Sequence, residues 1–243
     1  MKVDSMKRSK KLIIAILLVI LIGLIAYIAG TVFFPQDSEL AHGDRAILVC
    51  AIDESETRAG MGACDMAFIV RLHDGSLVNY TAIYPGGLTH PTAAEPQEYQ
   101  QQGAGSKLLL HDSFYTADNQ QSMKYAKEIV EYNTNTSIDS VVAVNSKALD
   151  AILLAAGPLE INGTTTNASG IDIIREEDWG NGVSRGDAVL SIVKAAATKA
   201  KDPTIKSAMV NAALDQYSKG NIVMDKEGAF VGLLASKGIE TFF

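Results

Sequence analysis

The feature that most constrains this chain is an uncharged, apolar segment near its N-terminus, residues 12–34. A helix of these 23 residues would be about 34 Å long, enough to cross a hydrocarbon core of about 30 Å. Basic residues precede the segment (Lys2, Lys7, Arg8, Lys10 and Lys11), whereas Pro35 and acidic residues follow it. Because positively charged flanks stay in the cytoplasm, the segment predicts a single-pass membrane protein with an external C-terminal domain.

This segment divides the chain into four predicted parts. They are a basic cytoplasmic tail (1–11), a transmembrane helix (12–34), a polar linker (35–44) and an extracytoplasmic domain (45–243). The alternative is a cleaved signal peptide, whose apolar region spans about 7–15 residues before a small-residue cleavage site. Ala26 and Ala29 are small, but the apolar run is longer and Phe33-Phe34-Pro35 is a poor cleavage site. The length favours an anchor that is retained in the cell membrane.

The external part is strongly acidic. The whole chain has a net charge of −7, and its first 11 residues hold five positive charges and one negative charge, which leaves about −11 for the remainder. Such a charge argues against a nucleic-acid partner and against docking on anionic lipid through a basic patch. It is compatible with a site where a metal ion joins the protein to an anionic ligand.

The two cysteines, Cys50 and Cys64, have two interpretations. Side-chain alternation turns Cys50 away from Asp53 and Cys64 away from Asp65, so both thiols could share one face of a sheet. In an extracytoplasmic compartment such a pair can oxidise to a disulfide. The alternative is two buried free thiols.

Other polar residue types add weaker signals. No Cys/His spacing typical of a zinc site occurs, and the histidines are interpreted as solvated loop residues (His42, His73, His90 and His111). Four Asn-x-Ser/Thr sequences are candidate N-glycosylation sites: Asn79, Asn135, Asn162 and Asn167. The alternative interpretation of these sequences is a surface rich in Asn and Thr.

The order of apolar patterns predicts the fold class. Four β-branched, apolar runs predict strands at 45–52, 64–72, 77–84 and 138–144. Capping residues and apolar stripes predict helices at 118–132, 146–156, 184–200 and 202–219. We therefore predict an α/β domain with a central mixed β-sheet flanked by helices. The long polar segment 88–117 is either a functional loop over a site or a mobile insertion.

Acidic residues cluster where the first predicted strand ends and the second begins. Asp53 leaves the first strand and Asp65 enters the second, so neighbouring strands would bring both carboxylates to one edge of the sheet. Mg²⁺ prefers one or two carboxylates plus ligand phosphates, which makes this pair a candidate Mg²⁺ site with Glu54 and Glu56 as alternatives. Arg58, in the same loop, suits a pyrophosphate or another anion. The alternative for such a loop is a solvated surface.

Three stretches of the chain resemble the LytR–CpsA–Psr family. They are ILVCAIDESETRAGMGACDMAFIVRLHDGSLVNYTAIYPG (47–86), SIDSVVAVNSKALDAILLAAGPLEING (137–163) and SRGDAVLSIVKAAATKA (184–200). The patterns Glu56-x-Arg58-x-Gly60 and Ala156-Gly157-Pro158 are closer still to a single-pass relative, domain of unknown function 4012. The resemblance covers most of residues 45–200.

This resemblance implies an envelope function. Proteins of the LytR–CpsA–Psr family transfer glycopolymers from a polyprenyl-pyrophosphate lipid onto the cell wall, and Asp and Arg residues with Mg²⁺ hold the pyrophosphate. By that resemblance Asp53 and Asp65 are metal ligands, and Arg58 and Arg185 are catalytic phosphate-binding residues. The implied partners are the membrane, a polyprenyl-phosphate-linked glycan and a cell-wall polymer.

Two arginine-bearing motifs of that family are altered here. Its Arg-Ser-Asp-Thr reads Ala63-Cys64-Asp65-Met66, and its Pro-Arg-Asp reads Pro85-Gly86-Gly87. Losing one such contact costs roughly 2–4 kcal/mol of transition-state stabilisation. Two hypotheses therefore stand side by side. One is a protein that binds a lipid-linked envelope glycopolymer or transfers it as a Mg²⁺-dependent phosphotransferase, and the other is a non-catalytic binding or scaffold domain.

Overall fold

The computed structural model describes residues 38–161, 163–166, 185–226, 228–229 and 232. The predicted tail and transmembrane helix lie outside the described residues, as do Asn162 and Asn167. Within the described part of the chain, no helix has the length and apolar character that crossing a membrane requires.

Nine strands and five α-helices follow a short 3₁₀ helix, Glu39–Ala41, in the part that the structure describes. The strands are β1 (Asp44–Asp53), β2 (Ala63–His73), β3 (Ser76–Ile83), β4 (Thr89–Ala94), β5 (Lys107–Leu109), β6 (Ser140–Asn145), β7 (Leu159–Ile161), β8 (Thr164–Thr166) and β9 (Ile222–Met224). The helices are α1 (Gln97–Gln101), α2 (Asn119–Thr134), α3 (Ser146–Ala156), α4 (Arg185–Lys199) and α5 (Pro203–Ser218).

The centre of the fold is a mixed five-stranded sheet in the order β3-β2-β1-β6-β9. Strand β1 pairs antiparallel with β2 and parallel with β6, so the carboxyl ends of β1 and β6 lie at the same edge. In open sheets with helical crossovers, ligand sites favour this kind of edge. Two small ribbons, β4-β5 and β7-β8, lie outside the central sheet.

Helices cover both faces of the sheet, as the sequence predicts. On one face, the buried side of α2 (Met123, Ala126, Ile129 and Val130) packs with residues of β1, β2 and β6. On the other face, Ala148 of α3 shares a core with Val142 and Ile222, and residues of α5 pack against this core. An α/β domain with a central mixed sheet flanked by helices is therefore confirmed.

Local capping explains where the helices begin. The Asp118 carboxylate accepts hydrogen bonds from the backbone N–H groups of Gln120 and Gln121 at the start of α2. The Asp202 carboxylate does the same for α5, whose first residue is Pro203. Such side chains satisfy N–H groups that have no partner inside the helix. The predicted starts of both helices are therefore correct to within one residue.

Outside segment 88–117, where β4 and β5 were not predicted, two further short strands were missed. The sequence predicts a loop after residue 162, but Thr164–Thr166 pairs with β7. Strand β9 (Ile222–Met224) adds to the sheet edge beside β6, shortly after residue 219, where the predicted helix ends, and the sequence predicts no strand there. Three-residue strands are too short to show a period of two, so no pattern in the sequence indicates them.

Candidate functional site

A β-bulge determines the position of Asp65. Ala51 pairs with Met66 and Ile52 pairs with Cys64, which leaves Asp65 as the extra residue of β2. A bulge bends its strand and re-aims the side chain of the extra residue. The Asp65 carboxylate lies 3.3 Å from Nε2 of His111.

Three ligand-type side chains converge at this point. The His111 Nε2 atom lies 3.3 Å from Asp65 Oδ1 and 3.7 Å from Glu56 Oε2. One possible metal-ligand atom from each of the three residues lies within 4.8 Å of the other two. Among the described residues, this is the group of His, Cys, Asp or Glu side chains that is close enough to hold one metal ion. We call Glu56, Asp65 and His111 the carboxylate–histidine cluster.

A second layer of polar contacts supports the cluster. His111 Nδ1 lies 3.1 Å from Asp112 Oδ1, and the same carboxylate oxygen accepts a 2.8 Å hydrogen bond from the Arg58 guanidinium. Arg58 also donates to Glu56 at 3.2 Å, and its guanidinium lies 4.5 Å from the centre of the Tyr99 ring. These contacts fix the arginine in one place beside the cluster.

Close packing of two loops holds these residues together. A Cβ atom on Gly60 would overlap the backbone carbonyl oxygens of Phe114 and Thr116, so only glycine lets the loop after β1 approach this segment. The backbone N–H of Gly60 donates to Tyr115, and that of Cys64 donates to His111. The 88–117 segment is thus tied to the loop that carries Glu56 and Arg58.

The ionisation of the site follows from these contacts. Hydrogen bonds to Asp112 and Asp65 raise the pKa of His111 to about 10, although burial opposes them. Burial would raise the pKa of Asp112, but the hydrogen bonds from His111 and Arg58 outweigh it and lower that pKa. In the absence of a bound cation, His111 is therefore an imidazolium at neutral pH.

Glu95, from the same segment, is a deeply buried carboxyl group whose charge interacts with Arg58. It is 2% exposed, and burial raises its pKa to about 7, although its Oε2 atom accepts a 2.7 Å hydrogen bond from the Leu109 N–H. Its Oε1 atom and the Nε atom of Arg58 are the buried side-chain atoms without a hydrogen-bond partner among the described residues. At neutral pH the Glu95 carboxyl group is therefore close to its pKa.

The predicted metal ligands lie in different surroundings. Asp65 belongs to the cluster, whereas Asp53 does not belong to it. Asp53 is 1% exposed, and its carboxylate accepts a hydrogen bond from Ser55 N–H at the end of β1. Of the alternatives, Glu56 joins the cluster, and Glu54 accepts hydrogen bonds from the backbone and hydroxyl groups of Ser146 at the start of α3. Asp53 and Asp65 as a Mg²⁺ pair remain a prediction.

The two predicted arginines are described to different extents. Arg58 lies beside the cluster, as the loop position predicts. Arg185 is the first residue of α4. Its phosphate-binding role remains a prediction.

The sequence did not identify several residues of the site, which are histidines or belong to the long segment 88–117. The interpretation of His111 as a solvated loop residue is wrong, because it belongs to the cluster. It is wrong for His90 as well, which is 5% exposed and hydrogen-bonds Glu128. The segment contains β4, α1 and β5, and it supplies Glu95, Tyr99, His111 and Asp112 to the site. The adjacent His111-Asp112 pair after an apolar run was the available signal.

The remaining predicted residues have these positions. Cys50 and Cys64 lie in the same core cluster, so they share a face, and both are buried free thiols in this structure. The pKa of the Cys64 thiol is raised, mainly by its hydrogen bond with Cys50 and then by burial. Asn79 is exposed on β3, and Asn135 is exposed at the end of α2. The disulfide and the glycosylation remain predictions.

Several solved structures have a fold similar to that of this domain. Protein gbs0355 from Streptococcus agalactiae has a TM-score of 0.54 at 16% identity, over 82% of this chain and 75% of that one. TagV from B. subtilis has 0.50 at 14%, over 82% and 80%, and TagT bound to LI-WTA has 0.51 at 12%, over 85% and 78%. No curated protein matches the chain. The fold is that of a LytR–CpsA–Psr-like domain.

The family of this chain follows from its sequence. The family described as "Protein of unknown function (DUF4012)" matches residues 42–178, which is more than half of the 243 residues. The chain belongs to this family. The matched range includes all the residues of the candidate site that the structure brings together.

Proposed function

We propose that this chain is a membrane-anchored cell-envelope protein whose external domain binds a glycopolymer linked to a lipid through a pyrophosphate. The observation that carries the proposal is the position of Arg58 beside the carboxylate–histidine cluster, at the edge where β1 ends. A fixed guanidinium is suited to a phosphate because it presents several N–H donors in a plane. The likeness to TagT, solved with LI-WTA bound, supports the proposal at the level of the fold.

Charge balance implies that the ligand needs a cation. By formal charge, the three carboxylates Glu56, Asp65 and Asp112 outnumber the two cations Arg58 and His111. A pyrophosphate would be repelled by this excess of negative charge unless a divalent cation lay between them. Glu56 and Asp65 would hold such a cation, and its positive charge would offset the negative charge of the phosphates. The oxygen donors of Glu56 and Asp65 suit Mg²⁺, but the imidazole of His111 does not belong to its preferred ligands.

The binding step can be tested without assuming catalysis. The full-length protein, purified in detergent, is mixed with a short-chain polyprenyl pyrophosphate and divalent cation, and lipid occupancy is measured by native mass spectrometry. We expect binding by the wild type and by Arg71→Met, whose arginine contacts Thr81 on the exposed sheet surface. We expect Arg58→Met to bind the lipid at least roughly tenfold more weakly than the wild type. Equal binding by all three proteins would contradict the assignment of Arg58.

A second function on the same fold is a non-catalytic binding or scaffold domain. Ala63 and Gly86 stand where the resembled motifs have arginine, and this observation favours lost phosphotransferase activity. Transfer of labelled glycopolymer from lipid to peptidoglycan separates the two. Transfer that depends on Asp65 would identify a phosphotransferase, whereas binding without transfer would identify a scaffold.

A further inference from the structure

We infer that the carboxylate–histidine cluster is a site for a transition-metal dication of the Mn²⁺ or Zn²⁺ type rather than for Mg²⁺. The inference concerns the site on which the proposed function depends, but it stands on the ligand atoms alone. Its distinguishing residue is His111, because an imidazole nitrogen is a common ligand of transition metals and an uncommon one of Mg²⁺.

The spacing of the ligand atoms fits one bound ion. Ligands at about 2.1 Å from a metal lie about 3.4 Å apart in a tetrahedron and about 3.0 Å apart in an octahedron. The distances from His111 Nε2 to Asp65 Oδ1 and to Glu56 Oε2 are 3.3 Å and 3.7 Å. All three ligand atoms lie within 4.8 Å of one another, so side-chain rotations that shorten these separations would bring them onto one ion.

The contacts around His111 orient its ring for a metal. Asp112 accepts from Nδ1, which directs Nε2 toward Asp65 and Glu56. Metal-binding histidines typically donate the other ring N–H to a carboxylate or carbonyl oxygen in this way. Arg58 in turn holds Asp112 in place with a 2.8 Å hydrogen bond. The cluster thus has both a ligand set and the outer contacts that such a set needs.

Charge and access agree with a dication. A bound dication would displace the proton on Nε2 of His111. By formal charge, the carboxylates of Glu56, Asp65 and Asp112 with the Arg58 guanidinium would then sum to −2, which the dication balances. The side chains of Asp65, His111 and Glu56 are 15%, 32% and 40% exposed. An ion can therefore enter from solvent and keep positions open for a further ligand.

The test measures metal binding with no lipid present, so a failure of lipid binding cannot affect its outcome. The full-length protein in detergent is stripped of metal, dialysed against Mn²⁺, Zn²⁺ or Mg²⁺ in turn, and analysed by elemental mass spectrometry. We expect one Mn²⁺ or Zn²⁺ per chain and at least roughly tenfold weaker binding of Mg²⁺. Equal or tighter binding of Mg²⁺ would overturn the inference.

Variants and spectroscopy test whether His111 is a ligand. Pulsed electron paramagnetic resonance of the Mn²⁺-loaded wild type should detect coupling to an imidazole nitrogen, and its absence would overturn the inference. His111→Gln should remove the signal, and Asp112→Asn should weaken binding about 10–100-fold. Glu56→Gln, whose side chain is 40% exposed, should also weaken metal binding. It replaces His111→Gln in the test if that variant fails to fold. His73→Gln, an exposed histidine on β2, should behave as the wild type.

Discussion

Arg58 is the residue on which the contacts of the site converge. Its side chain is 12% exposed, and it donates to Asp112 and Glu56 while it lies over the ring of Tyr99. Burial opposes its charge, yet the hydrogen bond from Arg58 to Asp112 outweighs burial and raises the pKa of the arginine. Arg58 therefore stays charged and bound to the carboxylates, so it has a structural as well as a ligand-binding role.

Arg58→Met should lower the free energy of unfolding by about 2–3 kcal/mol, because the substitution leaves Asp112 without one charged donor in a buried place. Chemical denaturation of the full-length protein measures this change. Arg71→Met is the matched control, and its effect should stay within about 0.5 kcal/mol since Arg71 lies on the exposed sheet surface. Equal effects of the two substitutions would contradict the central position of Arg58.

Glu95 should make stability depend on pH in a defined window. Its folded-state pKa of about 7 lies above the ordinary value of 4.5, so the folded protein binds this proton more tightly than the unfolded chain. The stabilisation is complete below about pH 4.5 and is lost as the pH rises through about 7. Glu95→Gln should remove this loss and raise the free energy of unfolding above pH 7 by on the order of 2 kcal/mol relative to wild type.

Urea titrations at pH values from 5 to 8 measure the difference. Glu160→Gln, which changes an exposed glutamate of β7, is the control and should leave the slope of the wild type unchanged. If the stability of Glu95→Gln falls with pH as steeply as that of the wild type, a group other than Glu95 causes the pH dependence.

At the scale of elements, one glycine joins two loops of the site. Gly60→Ala would force the new methyl group against the carbonyl oxygens of Phe114 and Thr116, so the loop must move away. We expect a loss of about 1–3 kcal/mol or more in the free energy of unfolding. We also expect weaker metal binding, because Glu56 moves with this loop.

Gly86→Ala is the matched control for this prediction. A Cβ atom at Gly86 has no neighbour within 4 Å among the described residues, so both stability and metal binding should remain near those of the wild type. Thermal unfolding and metal titration of the two variants give the comparison. Unchanged behaviour of Gly60→Ala would show that the two loops are not coupled.

The longer elements could be predicted from the sequence, and the shorter ones could not. Strands β1, β2 and β6 are apolar runs, and helices α2 and α5 begin at residues that cap them, so pattern and chemistry agree there. Strands β8 and β9 have three residues each, and the pairing partner rather than the local sequence makes them strands. The irregular segment 88–117 was identified as a functional loop or an insertion, but its hairpin and helix were not.

The site was predictable only in part for a similar reason. Asp65 lies in the second strand and Arg58 in the loop before it, and the apolar runs indicate that the first two strands pair. The bulge that turns Asp65 toward the cluster depends on the register of that pairing. Glu95, His111 and Asp112 come from 30 to 47 residues farther along the chain, and only tertiary packing brings them to Asp65. No spacing in the sequence encodes that proximity.

At the scale of the whole molecule, the proposed function requires the domain to lie on the outer side of the membrane. The basic residues before segment 12–34 predict a cytoplasmic N-terminus. A cysteine introduced by Ser137→Cys, at an exposed position before β6, should react with a membrane-impermeant maleimide in intact cells. A cysteine introduced by Ser5→Cys should react only after permeabilisation. The reverse pattern would contradict the predicted topology.

The most direct test of the central claim is thermal unfolding of the full-length protein with Mn²⁺, with a polyprenyl pyrophosphate, and with both. A ligand at 100 times its dissociation constant stabilises by about 2.7 kcal/mol, which is roughly 5–10 °C for a domain of this size. We expect the lipid to raise the unfolding temperature of the wild type only when the metal is present. We also expect Asp65→Asn to abolish this shift. No shift in the wild type, or an equal shift in Asp65→Asn, would contradict these expectations.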